Sequence, residues 1–225
     1  MERATISADI VSSTSLSIEE LTLLQSEIRQ FLEGLSEKSQ GKDWGRLFKG
    51  DSVEIFLSNP KDALRVALLL KTLVKKTFSW GKETNPKREL FKKYGVRLAI
   101  GVGKMRNVDM QQGILDGEAI YYSGRLLEKA SIEKTTIKRS MYFECSNQLI
   151  TEEWNMVMGM LDVMLKNATS RQHEILYYKL SGQNEKEIAT KLKVRQSVVN
   201  QHSNAIGWNA IESAVKYFEK LNFEQ

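Results

Sequence analysis

Two groups of residues in this sequence have types and spacings suited to chemistry. The first is a pair of aspartates. Asp9 closes a short β-branched run, Ala4 to Val11, and Asp51 sits in Lys49-Gly50-Asp51-Ser52 between two further strand-like runs. If that hairpin neighbours the first strand, both carboxylates meet at one sheet edge. Two such oxygens suit a Mg²⁺ or Mn²⁺ ion carrying nucleotide phosphates. Edge aspartates are common, so spacing alone makes this a weak signal. The second group is Arg195, Gln196, Ser197, Asn200, Gln201 and Asn204, which share the outward face of one expected helix. Arginine matches guanine edges and side-chain amides match adenine, so such a face suits a DNA major groove.

The elements around the second group are well punctuated. Thr169 caps a helix expected over Ser170 to Leu180, and Gly182 stops it. Asn184 caps the next, Glu185 to Leu192, and a turn at Lys193-Val194 leads to a third, Gln196 to Ile206. Gly207 closes that helix, and a last one is expected over Ala210 to Leu221. Ile175, Leu176, Ile188, Ala189, Leu192, Val194, Val199 and Ile206 form the expected small core. Ala189 is small enough for two helix backbones to cross closely, Val194 fills the turn, and Val199 anchors the following helix. This string of positions, from Glu187 to His202, resembles the helix-turn-helix of response regulators and of sigma-factor region 4. Glu185, Glu187 and Glu212 dilute its lysines, which weakens the attraction to phosphate that dominates DNA affinity. A protein-docking role for the same module therefore stays open.

The aspartates are framed by a mixed α/β pattern. Ser17-Ile18-Glu19-Glu20 is a capping box, and Leu21, Leu24, Ile28, Phe31, Leu32 and Leu35 form an apolar stripe at helical spacing behind it. Trp44 to Phe48 and Val53 to Leu57 flank the Gly-Asp turn as a hairpin, and Asn59-Pro60 opens a second helix. Val96 to Val102 reads as a strand, Gly117 to about Ala130 as a helix, and Met141 to Cys145 as a strand. Thr151 to Asn167 is a long helix whose Met156 and Met160 widen its apolar face, so a dimer contact is one reading of it. Lys75, Lys76, Lys82, Lys87, Arg88, Lys92 and Lys93 crowd a stretch expected to be mostly loop.

Bulk properties exclude several classes. With 225 residues, 41% hydrophobic and 27% charged, the chain can bury a core without staples. Its single cysteine, Cys145, lies in an apolar run and reads as strand packing in a reducing compartment. No run reaches the roughly 18–20 apolar residues of a membrane span, and no signal-peptide pattern precedes the first strand. A cytoplasmic location is expected. The net charge of +5 and a pI near 9.1 suit a polyanionic partner without requiring one.

The wording around the aspartates adds a family resemblance. Asp9-Ile10-Val11-Ser12-Ser13-Thr14, Lys49-Gly50-Asp51, Val96 to Gly103 and Gly117 to Arg125 occur in order. Together they resemble the catalytic domain of class III adenylyl and guanylyl cyclases. The resemblance implies a ferredoxin-like α+β sandwich, metal ligation by Asp9 and Asp51, and a phosphate-steadying role for Arg125. Leu47 and Ile114 stand where that family reads the base with polar groups, and Tyr121 stands at its transition-state asparagine. Those departures argue against ordinary cyclase turnover. Asp116-Gly117-Glu118-Ala119-Ile120-Tyr121-Tyr122-Ser123-Gly124-Arg125, with the later Gly207-Trp208, is similar to the SatD family, across nearly the whole chain. Ala8 before Asp9 and Ser13-Thr14 after Val11 stand nearer the cyclases than SatD. The resemblance implies a cyclase-like domain over 1–150, a connecting helix over 151–168 and an all-α helix-turn-helix domain over 169–225. The expected protein is a DNA-binding regulator, dimeric through its cyclase-like domain, which would sense a nucleotide. A metal-dependent nucleotidyl cyclase and a docking adaptor are the alternatives.

Overall fold

Strand β1 (Glu2–Ile10) runs through the middle of the sheet and organises everything around it. The structure is a computed structural model that describes residues 1–78, 85–132 and 139–223. After β1 come α1 (Ile18–Lys38), β2 (Trp44–Phe48), β3 (Ser52–Leu57), α2 (Ala63–Lys76), α3 (Pro86–Tyr94) and β4 (Val96–Asp109). Antiparallel β3 and β4 flank β1, and β2 pairs with β3 at the edge. The succession β1-α1-β2-β3-α2, then α3, then β4, in the spatial order β2-β3-β1-β4, is a split βαβ, ferredoxin-like arrangement. β5 (Ile114–Gly117) pairs with the far end of β4, α4 (Glu118–Ile132) follows, and β6 (Met141–Cys145) lies parallel beside β4.

Alternation along β1 assigns its two faces. Ala4, Ile6, Ala8 and Ile10 point into the main apolar core with Leu24, Ile28 and Leu32 of α1 and Leu64, Leu68 and Leu70 of α2. Thr5 and Ser7 point the other way, and both hydroxyls lie 2.9 Å from Ser123 Oγ on α4. Helix α4 sits close to β4 because Gly101 has no side chain. A Cβ there would fall 2.1 Å from the Ala119 carbonyl oxygen.

The chain closes with α5 (Gln148–Lys166), α6 (Ser170–Leu180), α7 (Glu185–Leu192), α8 (Gln196–Ala205) and α9 (Trp208–Phe218). Trp154, Met158, Leu161 and Leu165 turn the inner face of α5 into the core. Helix α6 packs on α2, and Phe218 of α9 sets its ring edge-on to Trp154 and Phe143, 4.7 and 5.7 Å between centroids. Among the described residues no helix is long and apolar enough to cross a membrane.

Several expectations need correction. The basic stretch is not loop: Lys75 and Lys76 end α2, while Lys87, Arg88, Lys92 and Lys93 lie on α3, capped by Asn85 with Pro86 at its first position. Lys82 lies outside the described residues. Lys71, at the head of that stretch, is fully buried. Its Nζ donates to the carbonyls of Tyr94 and Val96 at 3.0 and 2.8 Å and to Ser140 Oγ, with the Asp162 carboxylate 3.5 Å away. Ser140 in turn donates its backbone N–H and its hydroxyl to Asp162, at 2.8 and 2.5 Å. Burial drives the Lys71 ammonium below its ordinary pKa, against the pull of Asp162. Asn59-Pro60 opens a short 3-10 turn, with α2 beginning only at Ala63, and Gly117 ends β5 instead of starting α4. The small C-terminal core is split, because Leu176 and Ile206 belong to the main cluster.

Candidate nucleic-acid interface and the aspartate pair

The surface carrying the second group of residues is built from α6, α7 and α8. Ile175, Ile188, Ala189 and Val199 are buried together, with Tyr178, Leu192 and Val194 packed around them. Asn184 starts α7 through a capping box with Glu187, accepting the N–H groups of Lys186 and Glu187 at 3.0 and 3.1 Å. Lys193 takes the left-handed conformation, φ 53°, and lets the chain turn sharply after α7. Val194 N–H then donates back to the Ala189 carbonyl at 3.0 Å.

With Val199 and Ser203 buried on its inner side, α8 turns its other side outward. Arg195, Gln196, Ser197, Asn200, Gln201 and Asn204 are all exposed. Asn204 donates to Asn200 Oδ1 at 3.0 Å, and Asn200 reaches the Glu185 carboxylate at 3.4 Å. A hydrogen bond from Lys179 holds Glu185 below the ordinary carboxylate range, with Asn200 and Gln196 helping. The carboxylate next to this face is thus ionised and paired, 2.9 Å from Lys179 Nζ. Over residues 184–206 the sequence has Lys186, Lys191, Lys193 and Arg195 against Glu185 and Glu187, a net of +2 from four minus two. The Arg195 side chain does not cap α8, and the Val198 N–H donates to the Arg195 carbonyl at 3.0 Å.

The aspartates come to neighbouring strand ends. Asp9 is opposite Ser52 in the β1–β3 register, and Ile10 N–H donates to the Asp51 carbonyl at 2.9 Å. Sequence reasoning missed the residue on the other side. Arg97 faces Asp9 in the β1–β4 register and grips both its carboxylate oxygens, Nε to Oδ1 at 3.0 Å and Nη2 to Oδ2 at 2.7 Å. Its Nη1 donates to the Ala130 carbonyl at 2.8 Å, which fixes the clamp under the last turns of α4. Asp51 accepts from Ser13 at 2.8 Å.

The guanidinium offsets the Asp9 charge and takes one lone pair of each of its oxygens, so a divalent ion would have to compete with Arg97 there. Among the described residues no group of three or more His, Cys, Asp or Glu is placed to hold a metal ion. Arg125 is exposed on α4 with its guanidinium over the Tyr121 ring, 5.7 Å from the centroid. Tyr121 itself joins Asp116 and Arg106 near the start of that helix. The Asp9 clamp lies at the other end of α4, beside Ala130.

No family model matches the chain, and no curated protein matches it. Among solved structures it is similar to two bacterial light-regulated adenylyl cyclase structures, each at 18% identity. One match has a TM-score of 0.41 over 63% of this chain and 74% of the other. The second has a TM-score of 0.40 over 64% of this chain and 43% of the other. A likeness this distant says nothing of chemistry.

Proposed function

We propose that the protein is a DNA-binding regulator whose α7–turn–α8 unit is a helix-turn-helix and whose α8 enters the major groove. The observation that carries this reading is the division of α8: five polar side chains on it and Arg195 at its N-cap are exposed, with Val199 and Ser203 buried behind them. Arg195 and Gln196 stand at the start of the helix, where recognition helices meet base edges. Lys186, Lys191 and Lys193, all exposed, are the phosphate contacts.

The body carrying α8 is best read as a cyclase-type domain that has lost its metal chemistry. Support comes from the places of the resembling segments: Asp9 at the end of β1, Asp51 in the β2–β3 hairpin, and Gly101 and Gly103 on β4 beneath α4. Arg97 supplies the positive charge that a metal would bring to Asp9. The Asp116 to Arg125 segment and Gly207-Trp208 favour placing the chain with the SatD family. A nucleotide remains the natural ligand class for such a body.

Fluorescence anisotropy on mixed-sequence duplex DNA tests the reading. Affinity is expected to fall steeply with added salt, as phosphate contacts release counterions. On a duplex selected from a random pool for tight binding, Arg195→Ala combined with Gln196→Ala is expected to weaken binding at least about tenfold, since each good bidentate base contact is worth roughly 1–3 kcal/mol. Salt-indifferent binding, or a double variant that binds like the native protein, overturns it. Incubation with nucleoside triphosphates and Mg²⁺ or Mn²⁺ is expected to yield no product. A product lost in Asp51→Ala would restore the enzyme reading instead.

A further inference from the structure

The outer face of α5 carries an apolar seam that no described residue covers. Leu149, Met156, Met160 and Val163 are 64, 60, 60 and 48% exposed, and they supply four of the eleven exposed large hydrophobics. The other seven are spread over the rest of the molecule. Steps of seven, four and three residues separate the four, the alternation of a coiled-coil seam. The core needs nothing from this face, because Trp154, Met158, Leu161 and Leu165 already anchor α5 from the other side. A clustered apolar strip on an otherwise polar surface marks a place of association.

Charge chooses the occupant. Glu152 and Glu153 are exposed in the first half of α5, and Lys166 lies in its last turn. Glu153 falls on the seam itself, four residues after Leu149. Two copies packed in parallel would set Glu153 against its own counterpart, like charges in an apolar strip. Packed antiparallel, Met156 of each copy meets the second copy's Met160. Glu152 and Glu153 then come beside the second copy's Lys166. Gly159 falls near the centre of that arrangement. Among the described residues the Arg139 side chain, bonded to Asn155, is the neighbour within 4 Å of the position of its missing Cβ, at 3.9 Å.

We infer that two copies of this chain pair through α5, antiparallel, about a two-fold axis near Gly159. The contact is isologous, each seam being its own complement. It goes beyond the DNA-binding reading and does not depend on it.

Sedimentation velocity on the full chain without DNA, over a concentration series, is the test. The native protein is expected to sediment as a dimer. Met160→Glu and, separately, Met156→Lys should each weaken association at least about tenfold, or about 1.4 kcal/mol, while leaving the circular dichroism spectrum unchanged. Glu153→Lys and Lys166→Glu should each weaken the dimer, and the two together should restore it. A native protein that stays monomeric, or seam variants that dimerise as well as the native chain, overturns the proposal. Failure of the charge swap to rescue overturns the antiparallel arrangement.

Discussion

At the scale of single residues, the groups that matter most are those whose partners come from another element. His173 on α6 is fully buried, and its Nε2 meets the Leu165 carbonyl at 2.9 Å. Its Nδ1 has no partner among the described residues. Burial, with the nearby Lys75 and Lys71 charges adding to it, pushes the imidazole from 6.5 down to about 3. The unfolded chain therefore takes up a proton below about pH 6.5 that the folded protein refuses until about pH 3. More protons on the unfolded side mean that stability falls as pH drops through that window, by at most about 1.4 kcal/mol per unit. His173→Gln keeps a donor for Leu165 but cannot titrate. Its urea midpoint is expected to fall less than the native one between about pH 7 and about pH 4. Equal losses in the two proteins would show that His173 is not the group responsible. Arg97 belongs to the same kind of residue: one arginine among many in the sequence, made significant by facing Asp9 across an antiparallel register.

At the scale of elements, the turn between α7 and α8 is held by a residue poorly suited to it. Lys193 occupies φ 53°, ψ 43°, a conformation that costs an ordinary L-residue roughly 1–2 kcal/mol. Glycine is the common choice at that place after a helix. Lys193→Gly should therefore raise the thermal midpoint, a gain of about 1 kcal/mol. A lowered midpoint would mean that the lysine side chain does more for the fold than the turn geometry shows. Elements with caps and a clear period were legible in the sequence. The capping boxes at Ser17, Thr169 and Asn184 start their helices where the residue types placed them. Helix α3 was not legible, because three lysines and an arginine crowd its nine residues and only Phe91 and Tyr94 are buried. The Asn85-Pro86 pair was its one local signal. β5 and the outer half of β4 escaped notice because their burial does not alternate. The exposure of the α8 face followed from periodicity, whereas the Arg97 clamp depends on strand register, which periodicity does not carry.

At the scale of the whole molecule, apolar spacing tells which side of a helix is buried but not what buries it. Reading residues 169–225 as a module with its own core was natural on spacing alone. In the structure only Ile175, Ile188, Ala189 and Val199 form a separate buried cluster. Leu176, Leu180, Ile206, Ile211, Val215 and Phe218 share one continuous core with the sheet, α2 and α5. Four buried side chains are too few to offset the ordering of four helices, since fixing each residue costs roughly 1–2 kcal/mol. Cut away from the body, the segment 169–225 should show little helix by circular dichroism and no cooperative melt. The intact chain should unfold in one transition, with tryptophan fluorescence and far-ultraviolet ellipticity changing together. Trp208 on α9 and Trp154 on α5 report on the two sides of that junction. An earlier, separate loss of the C-terminal helices would contradict the shared core. It would also weaken the link between the α5 seam and α8. A rigid link is what would let a two-fold axis through α5, as inferred above, fix the separation of the two α8 helices, and under the proposed DNA-binding function the spacing of half-sites.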